Sequence, residues 1–179
     1  MAHISSLGAG IFTYLDIFKG TIPSDTDTVA ECAALFVGTT PGTVDADHVR
    51  MPSVREFPSI GTPANIVNVP VYGQKTSSQV QGQADAPTLE VTVNYVPSEM
   101  DDIHAIIGTN CVFRFMMANQ AVTENEGADT TLAVDNTEFY FLGKIEAILV
   151  NPALTDANTA TVTLSAQSDF FGPATLAAA

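Results

Sequence analysis

Two stretches of the chain alternate apolar and polar residues strictly. Leu89, Val91, Val93 and Tyr95 are separated by Glu90, Thr92 and Asn94, and Ala160, Val162, Leu164 and Ala166 by Thr161, Thr163 and Ser165. Period-two alternation sends one set to a packed face and the other to a wet one, so each stretch predicts a half-buried strand. Directly after the first, Pro97 cannot give an amide to a ladder, and Ser98 stands three residues before Asp101, where its hydroxyl can take an orphan amide. A helix of roughly two to three turns is predicted from there. Met100, Ile103, His104 and Ile107 recur at helical spacing, Glu99, Asp101 and Asp102 load its positive end, and Gly108 suits its stop.

Elsewhere the pattern is less regular. Ile11, Thr13, Leu15 and Ile17 alternate with Phe12, Tyr14, Asp16 and Phe18, β-rich and apolar on both sides, which predicts a first strand buried on both faces before Lys19-Gly20. A polar stretch, Pro23–Thr28, leads into Val29–Gly38, whose alanines permit a helical turn but whose Leu35-Phe36-Val37 reads better as a second strand. Cys111, Phe113, Phe115 and Met117 set one face of a strand against Val112, Arg114 and Met116. Thr123–Asp129 offers a polar turn, and Phe139, Phe141, Ile145 and Leu149 against Tyr140, Lys144 and Glu146 complete a hairpin. Phe170-Phe171-Gly172-Pro173 is expected to end the last strand. The fold class expected is mainly β: a β-sandwich or partly closed barrel of two packed sheets, with one short α-helix on its flank.

Three segments do not read as body. Residues 1–9 are small and polar and 168–179 end in a small apolar tail, so both are expected as arms that reach onto neighbouring subunits. Thr39–Asp85 holds five of the ten prolines and a Gln/Ser/Thr segment at Gln74–Gln83. Within it Ile66, Val67, Val69 and Val71 look like a strand broken by Pro70, and proline there implies an edge. A connection of this length is usually functional. It is expected to be an assembly loop, ordered between subunits, with Val71, Tyr72, Gln74, Lys75, Gln79 and Gln81 as inter-subunit residues.

Charge narrows the partners. The 179 residues include six Lys+Arg against 20 Asp+Glu, a formal charge of −14, on a chain whose mean hydropathy is +0.21. This is not the composition of a disordered acidic tail, and its field repels phosphates, which argues against a protein that grips nucleic acid by the backbone. It remains compatible with DNA sliding past. No run of about 18 apolar residues suggests a membrane span, and the N-terminus lacks the basic region and apolar core of a secretion signal, so synthesis in a cytoplasm is expected. Cys32 and Cys111 are too few and too far apart for a disulfide framework or zinc site and are expected as buried free thiols.

Candidate chemistry is sparse. His3, His48 and His104 share no ligand spacing with each other or with a cysteine, and no G-x-S-x-G, H-E-x-x-H or phosphate-cradling glycine loop occurs. The acidic pairs Asp25/Asp27, Asp45/Asp47 and Glu124/Glu126 do not continue into a calcium loop. Asp101 and Asp102 diverge around a helix and are explained by its dipole. A non-enzyme without metal or cofactor is the expectation.

The order GAGIFTYLDIFKG, then a long Pro/Gly/Gln-rich excursion ending QGQADAPTLEVTVNYVPSE, then the helix, FRFMM, FYFLGKIEAILVN and TATVTLSAQSDF resembles the major tail tube protein of long-tailed bacteriophages over nearly the whole chain. Its most specific piece is the strand, Pro97 and helix start from Leu89 to Ile107. The pattern ends soon after Ser168, without the immunoglobulin-like domain of larger members. The resemblance implies a virion structural protein of one β domain that forms six-fold rings stacked into a tube for DNA ejection. It also implies as partners a tape measure protein, tail terminator and distal tail proteins, and viral DNA passing without specific binding. In such a tube the wet face of Glu90, Thr92 and Asn94 would line the channel, with Asp85 and Glu146 as further candidates and Lys144 as a counter-indication. An adhesin or pilus-type module and a lipocalin-like small-ligand carrier are the alternatives.

Overall fold

The computed structural model describes residues 10–36, 46–61, 66–73, 75–82, 88–118, 121 and 136–174. The expected N-terminal arm and the turn Thr123–Asp129 lie outside them. After a single 3₁₀ turn, Gly10–Phe12, come β1 (Thr13–Phe18), α1 (Val29–Leu35), β2 (His48–Arg50), β3 (Val54–Glu56), β4 (Ile66–Val69) and β5 (Ser78–Gln81). They are followed by β6 (Thr88–Asn94), α2 (Pro97–Ala105), β7 (Asn110–Ala118), β8 (Asn136–Asn151), β9 (Thr159–Ala166) and β10 (Phe171–Ala174).

Eight strands make one sheet in the order β2-β1-β7-β8-β9-β6-β3, with β10 also on β8, and its ladders are antiparallel; β4 and β5 form a separate two-stranded ribbon. The sheet's terminal strands, β2 and β3, are consecutive in the chain. Arg50 and Val54 are four residues apart and so lie within about 14 Å, which forces the sheet to curl until its ends nearly meet. Residues 51–53 bridge the gap: the Met51 amide donates to Leu15 O at 2.8 Å on β1, and the Asn94 amide donates to Ser53 O at 2.9 Å on β6. The result is the mainly β, partly closed barrel expected from the sequence.

Alternation decides what fills it. Leu89, Val91 and Val93 of β6, Ala160, Val162 and Leu164 of β9, Ile145 of β8 and Leu15 and Ile17 of β1 meet inside, with Phe113 stacked on Phe141 at a centroid distance of 4.9 Å. Helix α2 adds Met100, Ile103 and Ile106 to this cluster. Two details of α2 differ from the sequence reading. Its N-cap is Val96 without a side-chain cap, and Pro97 occupies the first turn, where a missing amide costs nothing, so Ser98 lies inside the helix. Ile106 is buried, whereas His104 and Ile107 are exposed. The stop at Gly108 holds: its φ is +76° and its amide donates to Ile145 O at 2.8 Å.

Among the described residues there are two α-helices rather than the one expected. Val29–Leu35, expected as a strand at its end, is helical because Thr28 and Glu31 form a reciprocal capping box. Thr28 Oγ1 accepts from the Glu31 amide at 3.3 Å, and Glu31 Oε2 accepts from the Thr28 amide at 3.0 Å. Cys32 and Phe36 then cover Val112 and Tyr140 on the outer face of the sheet. The C-terminal boundary also shifts. Phe171–Ala174 does not merely end β9 but pairs with Tyr140 and Glu138 of β8, so part of the expected arm 168–179 belongs to the barrel. Leu149, expected on the packed face, is 59% exposed: a bulge between Ile145 and Ala147 inserts Glu146 and turns the later residues over. Ile11 is likewise exposed, in the 3₁₀ turn rather than the first strand.

Candidate assembly surface

Residues of β6, β9 and β8 that point away from the core form one mostly polar face, with Ala147 opposite Thr163 and the exposed Leu149 opposite Thr161 as its apolar members. Register sets Glu90 against Thr163, Thr92 against Thr161 and Asn94 against Thr159, and on the far side of β9 sets Lys144 against Ser165. Glu90 is exposed and the threonines are half-buried by one another. Glu146, placed by the bulge, accepts from Ser165 Oγ at 2.5 Å. Glu90 and Glu146 therefore flank β9 from either side, two strand spacings or about 10 Å apart. Of the sequence-derived channel residues, Glu90, Thr92, Asn94 and Glu146 share this face; Asp85 lies outside the described residues. Lys144 shares it too, as expected.

Glu56 belongs with this set and was not foreseen. A second bulge, between Val54 and Glu56, places it opposite Thr92. A three-residue strand is too short for alternation to show, and no other sequence signal marks it. The face thus combines short hydroxyls with Glu56, Glu90 and Glu146, the cation Lys144 and the apolar Leu149.

The same outer surface continues under α1 as a buried ionic cluster that sequence reasoning also missed. Asp16 Oδ1 accepts from Arg50 Nε at 2.7 Å and its Oδ2 accepts from Arg114 Nη2 at 2.6 Å. Arg114 Nη1 lies 4.0 Å from Glu138, whose carboxylate accepts from the Tyr140 hydroxyl. Arg114 also stacks 4.6 Å from the Phe36 ring centroid and Arg50 4.1 Å from that of Tyr14. Burial alone would raise the Asp16 pKa, yet the two guanidiniums together hold it below the ordinary carboxylate value. Burial and Glu138 push the Tyr140 phenol up. Nearby, His48 Nε2 lies 2.8 Å from Leu35 O, and its ring packs between Phe18 and Phe36. These two acids and two arginines are spent on each other and on holding α1 in place.

Among the described residues of the expected assembly loop, the remaining element is the β4–β5 ribbon. His48–Glu56, at the loop's start, belongs to the barrel wall instead, because residues 51–53 are needed to bridge its ends. The ribbon pairs Val67 with Val80, Asn68 with Gln79 and Val69 with Ser78. Val67, Val69 and Val80 consequently share one side, and they are 47%, 41% and 54% exposed. Val71 and Tyr72 beyond it are exposed, as are Lys75 and Gln79, while Gln81 ends β5; Gln74 lies outside the described residues.

Among the described residues no cluster of His, Cys, Asp and Glu could hold a metal ion, and no helix is long and apolar enough to cross a membrane. Cys32 and Cys111 are free and buried, with burial pushing both thiols up to about 11. His104 meets the edge of Tyr95 at 6.5 Å on the exposed side of α2. A cleft of about 470 Å³ between Ile22, Pro23, Thr26, Asn110, Leu142 and Gln167 has only neutral groups on its walls. Comparison with known proteins gives no matching family model and no matching curated protein.

Proposed function

We propose that this chain is a structural, self-assembling subunit of the tail tube type, stacking as six-fold rings into the conduit through which a long-tailed phage ejects DNA. The observation that carries the reading is the open face of β6, β9 and β8. Its underside is committed to the core, yet its outer side bears threonine and serine hydroxyls with scattered carboxylates. Such a wall stays hydrated and offers a passing phosphate chain almost no cation to rest on. The exposed valines of the ribbon add a surface that association would cover.

The lipocalin-like alternative needs an apolar cavity, whereas here the barrel interior is occupied by Leu15, Val91, Phe113, Phe141, Ile145 and Val162. That favours assembly. In this reading the protein resides in the virion tail after synthesis in the host cytoplasm, works without cofactor, and meets tape measure, terminator and distal tail proteins. Negative-stain microscopy and light scattering of the purified chain test it. Hollow rods or rings of uniform width are expected; a chain that stays monomeric at every concentration, with or without a tail-tip nucleator, overturns it.

A further inference from the structure

Strand β8 is longer than the strands beside it. β7 pairs with it over residues 136–144, and β9, on the opposite side, over residues 143–151. The turn out of α2 adds one bond on the β7 side, from the Gly108 amide to Ile145 O at 2.8 Å. Beyond that bond, among the described residues, no element runs along the β7 side of Ala147–Asn151. Alternate residues of an antiparallel strand turn their amide and carbonyl away from the partner, so this segment presents an open edge. The edge also explains why Leu149 and Val150 are 59% and 43% exposed, although the register sets one against Thr161 on the outer face and the other against Ala160 on the core face. The other edges of the eight-stranded sheet are blunted: β2 and β3 are three residues long and carry Arg50, Arg55 and Glu56, and β10 contains Gly172 and Pro173. Ala147–Asn151 has neither charge nor proline.

We infer that the edge Ala147–Asn151 of one copy takes up residues 1–9 of a second copy as an added strand. The ladders place donor and acceptor at opposite ends of the barrel. Thr13, where β1 starts, pairs with Met117, which pairs with Thr137, and the open edge lies ten to fourteen residues further along β8, about 33–46 Å away. Nine extended residues span about 30 Å, so the segment cannot lie along the edge of its own copy. End-to-end stacking brings it beside the edge of the next copy, with five residues to match the edge and four to cross about 13 Å. Ile4 and Leu7 differ in parity, so a strand presents one on each face, as Leu149 and Val150 do on theirs. Residues 175–179 follow β10 from the same end of β8 but carry a single large apolar side chain, Leu176. The added strand lies beside β8 and not on its face, so the hydroxyls of Thr161 and Thr163 stay open. The contact is heterologous and repeats without closing on itself. The inference rests on the self-assembly reading and adds to it which segment holds one copy to the next.

Cross-linking and hydrogen exchange test the pairing separately from assembly. Leu149 is exposed enough to be replaced without touching the core, and the native thiols are buried and react slowly. A Ser5→Cys/Leu149→Cys chain, treated with a short bifunctional maleimide, is expected to give a ladder of covalent oligomers on a denaturing gel. An equimolar mixture of the two single variants should give dimers only, and each single variant alone should stay monomeric. Ser6→Cys in place of Ser5→Cys covers the other face of the added strand. In the unmodified chain, association should slow amide exchange by about tenfold or more in both 147–151 and 4–8. Association with no ladder from either serine position, or with unchanged exchange at 147–151, overturns the pairing while leaving self-assembly standing. So do cross-links confined within single chains, and dimers from Leu149→Cys alone, the mark of two β8 edges paired with each other. A chain monomeric by light scattering under the same conditions overturns both.

Discussion

Asp16 and Arg114 stand directly opposite each other in the β1–β7 ladder, and Nη2 of the arginine donates to Oδ2 of the aspartate at 2.6 Å. The contact joins residues 98 positions apart in a part of the sheet roofed by α1. Removing one member of a buried pair leaves the other charge uncompensated, which typically costs about 3–5 kcal/mol. Asp16→Asn, which abandons both Arg114 and Arg50, should lower stability by about that amount in urea unfolding while leaving the exposed strand face unchanged.

The same carboxyl sets an acid limit. Its folded pKa lies below the ordinary value of 3.8, so its stabilising contribution is present above that value and is lost as pH falls through the folded pKa. The melting temperature should drop steeply below about pH 4, and Asp16→Asn should flatten that part of the profile. An equal acid slope in both proteins would assign it to other carboxylates.

Helix α1 depends on its capping box more than on its seven residues, since a helix this short is not stable alone. Thr28→Ala should cost about 1 kcal/mol and should speed amide exchange in α1 before any other helix or strand. Uniform acceleration across the barrel would show that the helix does not open separately.

Gly143 stands opposite Ala166 in the β8–β9 ladder, where the partner strand leaves no room for a side chain. A Cβ there would lie 2.3 Å from Ser165 O, a backbone atom that cannot move aside without shifting the ladder. Gly143→Ala should therefore destabilise by about 3 kcal/mol, measured by thermal unfolding.

On the proposed channel face, Glu90→Lys turns a repelling group into one that a phosphate can hold. Tubes of normal length are expected, with DNA release slowed at low salt and restored as salt rises. Release at the unmodified rate in low salt would mean that this face does not meet DNA.

What the sequence showed and what it hid follow from burial. β6 and β9 were legible because one face is packed and the other wet, so alternation reports directly on position. β7 is packed on both sides, and Arg114 among its buried residues carries no hint that its partner is Asp16. Alternation also assumes an unbroken pleat, which is why Leu149 was misplaced past the Glu146 bulge and Glu56 was missed beside Thr92. For Val29–Leu35 the decisive signal was present in the sequence: Thr28 three residues before Glu31 marks a helix start and outweighs the apolar triplet that suggested a strand. Val67, Val69 and Val80 were visible as strand-formers; their common side depends on the register of two strands, which sequence does not give.

The bridge at residues 51–53 orders the events of synthesis. β1 leaves the ribosome first but finds its long ladder only in β7, at residues 110–118, and β6 is not enclosed until β9 arrives at 159–166. Until then the amino-terminal half carries open strand edges, the condition in which nascent β chains are slow to fold and prone to mispair. Residues 48–56 can join β1 to β6 once residue 94 has been made, but β1 and β6 each keep an open edge until β7, β8 and β9 fill the gap between them. Every newly made subunit therefore passes through an open, adhesive interval before its own barrel shuts.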